Sequence, residues 1–237
     1  MAKNNLKYRL IKICEGEILV DCMDAIFPEP YIPYIPDKWN GVLVLAEAQN
    51  LAKSNDDYVA TLKAMNTRQR IERLYYAVKT ENRVRIQPWD DGSLKLAVAA
   101  ALTKNPEETA VSNSVMWSLR QKNGVNRNPS KYLKVKSSNI WAKLLKEIKP
   151  KIVLTAGAVA RSIIQPIWPL QKQVNLRLPS PIAMGILAGQ TDDCEVESVH
   201  TIIQRMMKKY PCMFHKYSRF KELYIWHAIK TINKSYE

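Results

Sequence analysis

Glu47, Asn113, a glycine turn at Gly157 and Ser180 between two prolines each close an apolar run that gives way to polar residues. The runs are Val42-Leu43-Val44-Leu45-Ala46, Val111-Ser112-Asn113, Ile152-Val153-Leu154-Thr155-Ala156 and the stretch from Leu176 into Pro179. Open parallel sheets bind ligands in the crevice beyond the carboxyl ends of their strands, so residues that end such runs are site candidates. A carboxylate can move a proton or stabilise developing positive charge. A carboxamide offers both an acceptor and a donor and can read the polar edge of a ligand. Each residue also has a structural alternative: Glu47 as a surface acid, Asn113 as a loop cap, and Pro179-Ser180-Pro181 as a rigid turn.

Several elements must hold these residues in place. The β-branched and leucine run at 42–47 has the pattern of a strand buried on both faces, hence a central one. From about Asp56 to Val78 the spacing of Leu62, Met65, Ile71, Leu74 and Tyr75 predicts a helix or helix pair, with Lys63, Arg68, Arg70, Arg73 and Lys79 on other positions. Alanines favour a helix from Ser93 to Leu102, and Asn105-Pro106-Glu107-Glu108 turns the chain into the second strand. Ser138 to Ile148 reads as an amphipathic helix feeding the third strand. Two more helical patterns cover 196–209 and 214–233. The aromatic stripe of the last, including Tyr224, Trp226 and His227, is expected to pack in the core. Strand and helix in alternation argue for a right-handed parallel α/β sheet. The 237 residues suit one domain, with a proline-rich lead-in over 1–40 and a C-terminal helical extension over about 211–237.

Thirty-six Lys and Arg against 22 Asp and Glu give a net charge of +14, which favours a polyanionic partner. No apolar run approaches a membrane span and none resembles a signal-peptide core, so a cytoplasmic protein is expected. Cys14, Cys22, Cys194 and Cys212 lack the close spacing of a disulfide framework, and reduced thiols are expected. Cys194, His200, Cys212 and His215 supply zinc-type ligands, but their spacing is irregular and no Cys-x-x-Cys anchors them. No metal and no cofactor are expected.

Taken in order, the motifs resemble the uracil-DNA glycosylase superfamily over roughly residues 40–210. Ala46-Glu47-Ala48-Gln49-Asn50 stands where one branch has Gly-Glu-x-Pro-Gly. Pro88-Trp89-Asp90-Asp91-Gly92 is similar to the segment whose aromatic residue stacks on the extruded base. Ser112-Asn113-Ser114-Val115 matches the strand end whose Asn reads the pyrimidine, and Asn126-Arg127-Asn128-Pro129-Ser130 resembles the turn that follows it. Lys149-Pro150-Lys151 through Ala160 is similar to the Pro-Lys-strand-Leu-Gly-Ala-Thr-Ala stretch, and Leu178-Pro179-Ser180-Pro181 resembles His-Pro-Ser-Pro.

The resemblance implies a three-layer α/β sandwich around a central four-stranded, mostly parallel sheet, with DNA crossing its carboxyl edge. It implies a DNA glycosylase that flips out and excises a modified or damaged pyrimidine. Glu47 and Asp90 are the catalytic candidates, with Asp91 in reserve. Asn113, Trp89 and Leu178 would meet the base, and Arg127, Arg177, Pro179, Ser180 and Pro181 the DNA. Departures from the pattern are informative. Leu178 replaces the histidine that steadies the departing base, Gln49-Asn50 replace Pro-Gly, and Trp117 stands at a cluster cysteine, so no iron-sulfur centre is expected. The link over about 54–85 is long, a basic helical insertion. With Leu178 it leaves room for a bulkier base, as in superfamily members that excise glucosylated hydroxymethylcytosine from phage DNA. The rival expectation is a catalytically silent nucleic-acid-binding protein on the same fold. A monomer is expected in either case.

Overall fold

The computed structural model describes residues 2–21, 25–51, 53–74, 93–102, 105–170, 173–177, 189, 199–209 and 219–235. Its centre is a four-stranded sheet, every pairing in it parallel. The strands β1 (Val42–Ala46), β3 (Ala110–Asn113), β5 (Ile152–Ala156) and β6 (Gln173–Leu176) lie in the order β3-β1-β5-β6. A separate two-residue pair, β2 (Asn50–Leu51) with β4 (Leu119–Arg120), is also parallel. β1 is central and fully buried, as its unbroken apolar run requires.

Helices cover both faces, which makes the chain a three-layer α/β sandwich. On one face Val42, Val44, Ala46, Val111, Leu154, Ala156, Val174 and Leu176 pack under α3 (Ser93–Ala101), α6 (His200–Lys209) and α7 (Arg219–Lys234). The stripe on α7 is core: Leu223, Tyr224, Ile225, Trp226, Ala228 and Ile232 are buried, and the helix packs along α3. On the other face Leu43, Leu45, Ala110 and Val153 pack under α1 (Ala2–Glu15), α4 (Lys131–Ile148) and α5 (Ala158–Ile164).

The lead-in contributes to that second layer. Leu10, Ile11 and Cys14 of α1 are buried beside Leu144, Leu145 and Ile148 of α4. The Cys14 thiol touches the Tyr31 carbonyl at 3.6 Å, and burial, followed by the charges of Glu17 and Glu15, pushes it up to about 12. A third, smaller cluster joins Phe27 and Tyr31 to Leu51, to Val59 and Leu62 of α2 (Asp56–Lys63), and to Leu74 in a helical run over 67–74.

α4 starts at Lys131, seven residues before the expected Ser138. The Ser130 hydroxyl accepts from the Leu133 amide at 3.3 Å, and this cap lets the Lys-rich stretch wind as helix with Leu133 and Ser137 turned inward. Lys149 ends the helix in the left-handed conformation, just before Pro150. Among the described residues, no helix is long and apolar enough to cross a membrane.

Candidate functional site

Glu47 and Asn113 both stand at the carboxyl edge because β1 and β3 pair in register, with Ala46 opposite Asn113. Neighbouring strands run about 4.8 Å apart, so the acid and the carboxamide stand on adjacent strand ends. Alternation assigns them to opposite faces. Asn113 shares the side of Val111 and Ala46, whereas Glu47, one residue on, turns toward α5. A ligand seated across the edge would therefore meet one group from each side.

The loops that follow these strands are tied together beyond the sheet. Ser114 N–H donates to the Ala46 carbonyl at 2.7 Å, and Val115 N–H to the Glu47 carbonyl at 2.9 Å. The Ser114 hydroxyl donates to that same Glu47 carbonyl at 3.0 Å. Leu119 N–H then reaches the Gln49 carbonyl at 2.8 Å, where β2 and β4 take over. Gln49 is buried, and its side chain accepts from the Ser118 hydroxyl at 2.8 Å, which is paired in turn with the Tyr31 hydroxyl. Asn50 accepts the Arg127 amide at 2.8 Å, so the turn around Arg127 is fastened to the loop that carries Glu47. Gln49 and Asn50 thus hold the acid's loop down. Trp117 is fully buried and donates its indole N–H to the Pro28 carbonyl at 3.0 Å.

The Glu47 carboxylate lies over the glycine turn that opens α5, where Oε1 accepts the Val159 amide at 3.1 Å. Gly157 has φ +98, and a Cβ built there falls 2.8 Å from Cδ and 2.9 Å from Cγ of Glu47. Glycine is required twice, for its backbone angle and for the space the acid occupies. Gly157→Ala is expected to destabilise the protein by about 1–3 kcal/mol through backbone strain, and to dislodge Glu47 as well. Denaturant unfolding of Gly157→Ala, alone and combined with Glu47→Ala, measures both parts. The clash contribution should vanish in the double variant and the strain remain.

Asn113 is 5% exposed, and its Oδ1 is buried with no hydrogen-bond partner. A second polar group lies further along the sheet on the α5 face. Thr155 Oγ1 donates to Asn175 Oδ1 at 2.5 Å, and Gln173 Nε2 to the same oxygen at 3.0 Å.

Arg177 follows β6 with its side chain exposed, while both of its main-chain groups are held by α7. The Tyr224 hydroxyl donates to the Arg177 carbonyl at 2.8 Å, and the Arg177 amide donates to His227 Nε2 at 3.2 Å. Nε2 as acceptor leaves the ring proton on Nδ1. Burial, and then the charge of Arg177, hold the imidazole down at about 4, well under its ordinary 6.5. On acidification the unfolded chain takes up this proton first. Stability is therefore expected to fall as pH drops from about 6.5 toward 4. Thermal melts across that window should show the decline, and His227→Gln, which keeps an acceptor without a titrating ring, should flatten it. Sequence reading assigned His227 and Tyr224 to core packing alone; their spacing of three on one helix was the available signal for a paired contact.

Of the sequence candidates, Glu47 and Asn113 stand on adjacent strand ends but face opposite sides of the sheet, Arg127 is fastened to the Glu47 loop through Asn50, and Arg177 follows the outer strand β6. Trp89, Asp90, Asp91, Leu178, Pro179, Ser180 and Pro181 lie outside the described residues, as do Cys22, Cys194, Cys212, His215 and the insertion from residue 75 onward. His200 is described, and its ring nitrogens lie 3.2 Å from Glu222 Oε1 and 3.2 Å from Gln204 Nε2. No family model matches the chain, and no curated protein matches it.

Proposed function

We propose that the chain is a DNA glycosylase of the uracil-DNA glycosylase kind, which extrudes a modified or damaged pyrimidine and hydrolyses its N-glycosidic bond. One observation carries the reading: the buried, unpartnered Oδ1 of Asn113 at the carboxyl edge. An orphaned acceptor of this kind costs about 1–3 kcal/mol, and the N–H groups of a pyrimidine edge are donors that satisfy it. The pairing of Glu47's loop with Asn113's strand end and the net charge of +14 support it further.

Flipping the nucleotide costs a few kcal/mol, which stacking on Trp89 and the edge contact with Asn113 offset. As the C1′–N bond breaks, positive charge grows on the sugar and negative charge on the base. Glu47, with Asp90 as the second acid, stabilises the first and accepts a proton from the attacking water. The water's hydroxyl joins C1′, the base leaves with the bond pair as an anion that takes a proton from solvent, and Glu47 returns its proton to solvent. Arg127, Arg177 and Pro179-Ser180-Pro181 grip flanking phosphates. Leu178, in place of a histidine, admits a bulkier base. A hypermodified cytosine of phage DNA fits that description and would make the protein a cytoplasmic anti-phage enzyme. Incubation with DNA bearing uracil, damaged bases or hypermodified cytosines should yield abasic product from at least one substrate. No abasic product from any of them defeats the proposal.

A second reading, a silent DNA-binding protein, draws on the hydrogen bond between Glu47 and Val159, which gives the acid a purely structural use. Salt-dependent DNA binding without base release is its signature.

A further inference from the structure

Between Thr109 and Lys146 the chain carries eight Lys and Arg and not one Asp or Glu. Two of these cations are neutralised from elsewhere: Arg120 pairs with Asp56 at 2.5 Å, and Lys143 pairs with Glu17. Among the described residues, Lys122, Lys131, Lys134 and Lys136 form no ion pair. They fall within residues 122–136 of the sequence. A tight turn at Asn123-Gly124, closed by the bridge between Lys122 and Val125, is followed through residues 126–130 by the first turns of α4.

The outward face of those turns is also unusually apolar for a basic surface. Tyr132 is 50% exposed, Val135 53% and Val125 66%. Lys136 Nζ lies 5.9 Å from the centroid of the Tyr132 ring, four residues back on the same helix face. Leu133, Ser137, Ile140 and Trp141 occupy the opposite, buried face, so the exposed side chains have no role in the core.

We infer that residues 121–127 and the first turns of α4 form a docking surface for the phosphate backbone of a DNA duplex, on the side of the loop that carries Glu47. Charge complementarity selects the partner. Four uncompensated cations on a short span match a ladder of phosphates, and the apolar side chains between them suit the sugar edges. Position selects the role. The Arg127 amide is bonded to Asn50, so a duplex held here runs past the loop that carries Glu47. The inference rests on the glycosylase reading only for the fate of the bound DNA, and binding itself is measurable without catalysis.

The test measures affinity for a short mixed-sequence duplex as a function of salt, using the full chain and two triple variants. Lys122→Ala/Lys131→Ala/Lys134→Ala should weaken binding about tenfold or more near 0.1 M salt and reduce the salt slope by about 3. Lys38→Ala/Lys146→Ala/Lys151→Ala removes equal charge at exposed sites elsewhere and should change affinity less than about threefold. Unchanged melting temperatures show that both variants fold. Equal losses in the two variants, or no loss in the first, overturn the docking surface. Base release by the parent reports separately on the glycosylase reading: its absence alongside a selective loss in the first variant defeats that reading and leaves the surface standing.

Discussion

Glu47→Gln is expected to cut base release by about 10²–10⁴-fold while leaving the protein folded. Glutamine keeps the volume of the side chain and retains an oxygen that can accept the Val159 amide, now received at 3.1 Å. Only the negative charge and the ability to take a proton disappear. Loss of the charge near a helix N-terminus costs about 0.3–1 kcal/mol, too little to unfold a domain. The substitution therefore separates the two uses of this acid. If the carboxylate serves only to brace the glycine turn, the variant should release base at the parental rate. Single-turnover kinetics on the best substrate from the panel, with a melting curve on the same sample, decides between them.

Arg70→Met carries the largest expected effect on stability, a loss of about 3–5 kcal/mol. Arg70 Nε donates to Glu29 Oε2 at 2.8 Å, and the Glu29 side chain is wholly buried. The guanidinium also donates to the Leu62 carbonyl at 2.7 Å, which accepts the Met65 amide as well, and to the Lys63 carbonyl at 3.3 Å, both at the C-terminal end of α2. It lies 6.0 Å from the Phe27 ring centroid as well. One side chain thus holds three segments, and methionine would leave Glu29 charged and buried with Oε1 already lacking a partner. Arg70→Met combined with Glu29→Gln should be less damaging than Arg70→Met alone, because the stranded charge is gone. Urea unfolding of the three variants measures the ordering. A single-variant loss below about 1 kcal/mol would show that the pair does not stabilise the fold.

The parallel sheet was legible because β1 and β5 are near-continuous apolar runs alternating with helices, and β1's centrality followed from having no polar residue within it, whereas β6, Gln173-Val174-Asn175-Leu176, lies before the stretch read as its run. The helix pair carrying Leu62 and Ile71 was legible from its period. Where α4 begins was hidden, because Lys131-Tyr132-Leu133-Lys134-Val135-Lys136 alternates like a half-exposed strand. The Ser130 cap decides the matter locally and leaves no periodic trace. β2 and β4 were invisible for another reason. At two residues each they are products of the loops running side by side, not of any pattern of their own.

At the site, residue types pointed to Glu47 and Asn113, and the register of β1 with β3 explains why they are neighbours. Their assignment to opposite faces depends on a register that only pairing fixes. The Glu29–Arg70 pair spans 41 residues, and the His227–Arg177 contact 50, with no motif linking either. Such contacts arise from packing three layers together, and one-dimensional spacing carries no record of them.

The close approach of Gly157 to Glu47 constrains descent as well as structure. A lineage that gains a methyl group at position 157 must first shorten or withdraw the acid at 47, whereas a lineage that loses the acid is free to drift at 157 apart from the penalty of the backbone angle. The two positions, distant in the chain, should covary among any relatives as a single inherited character.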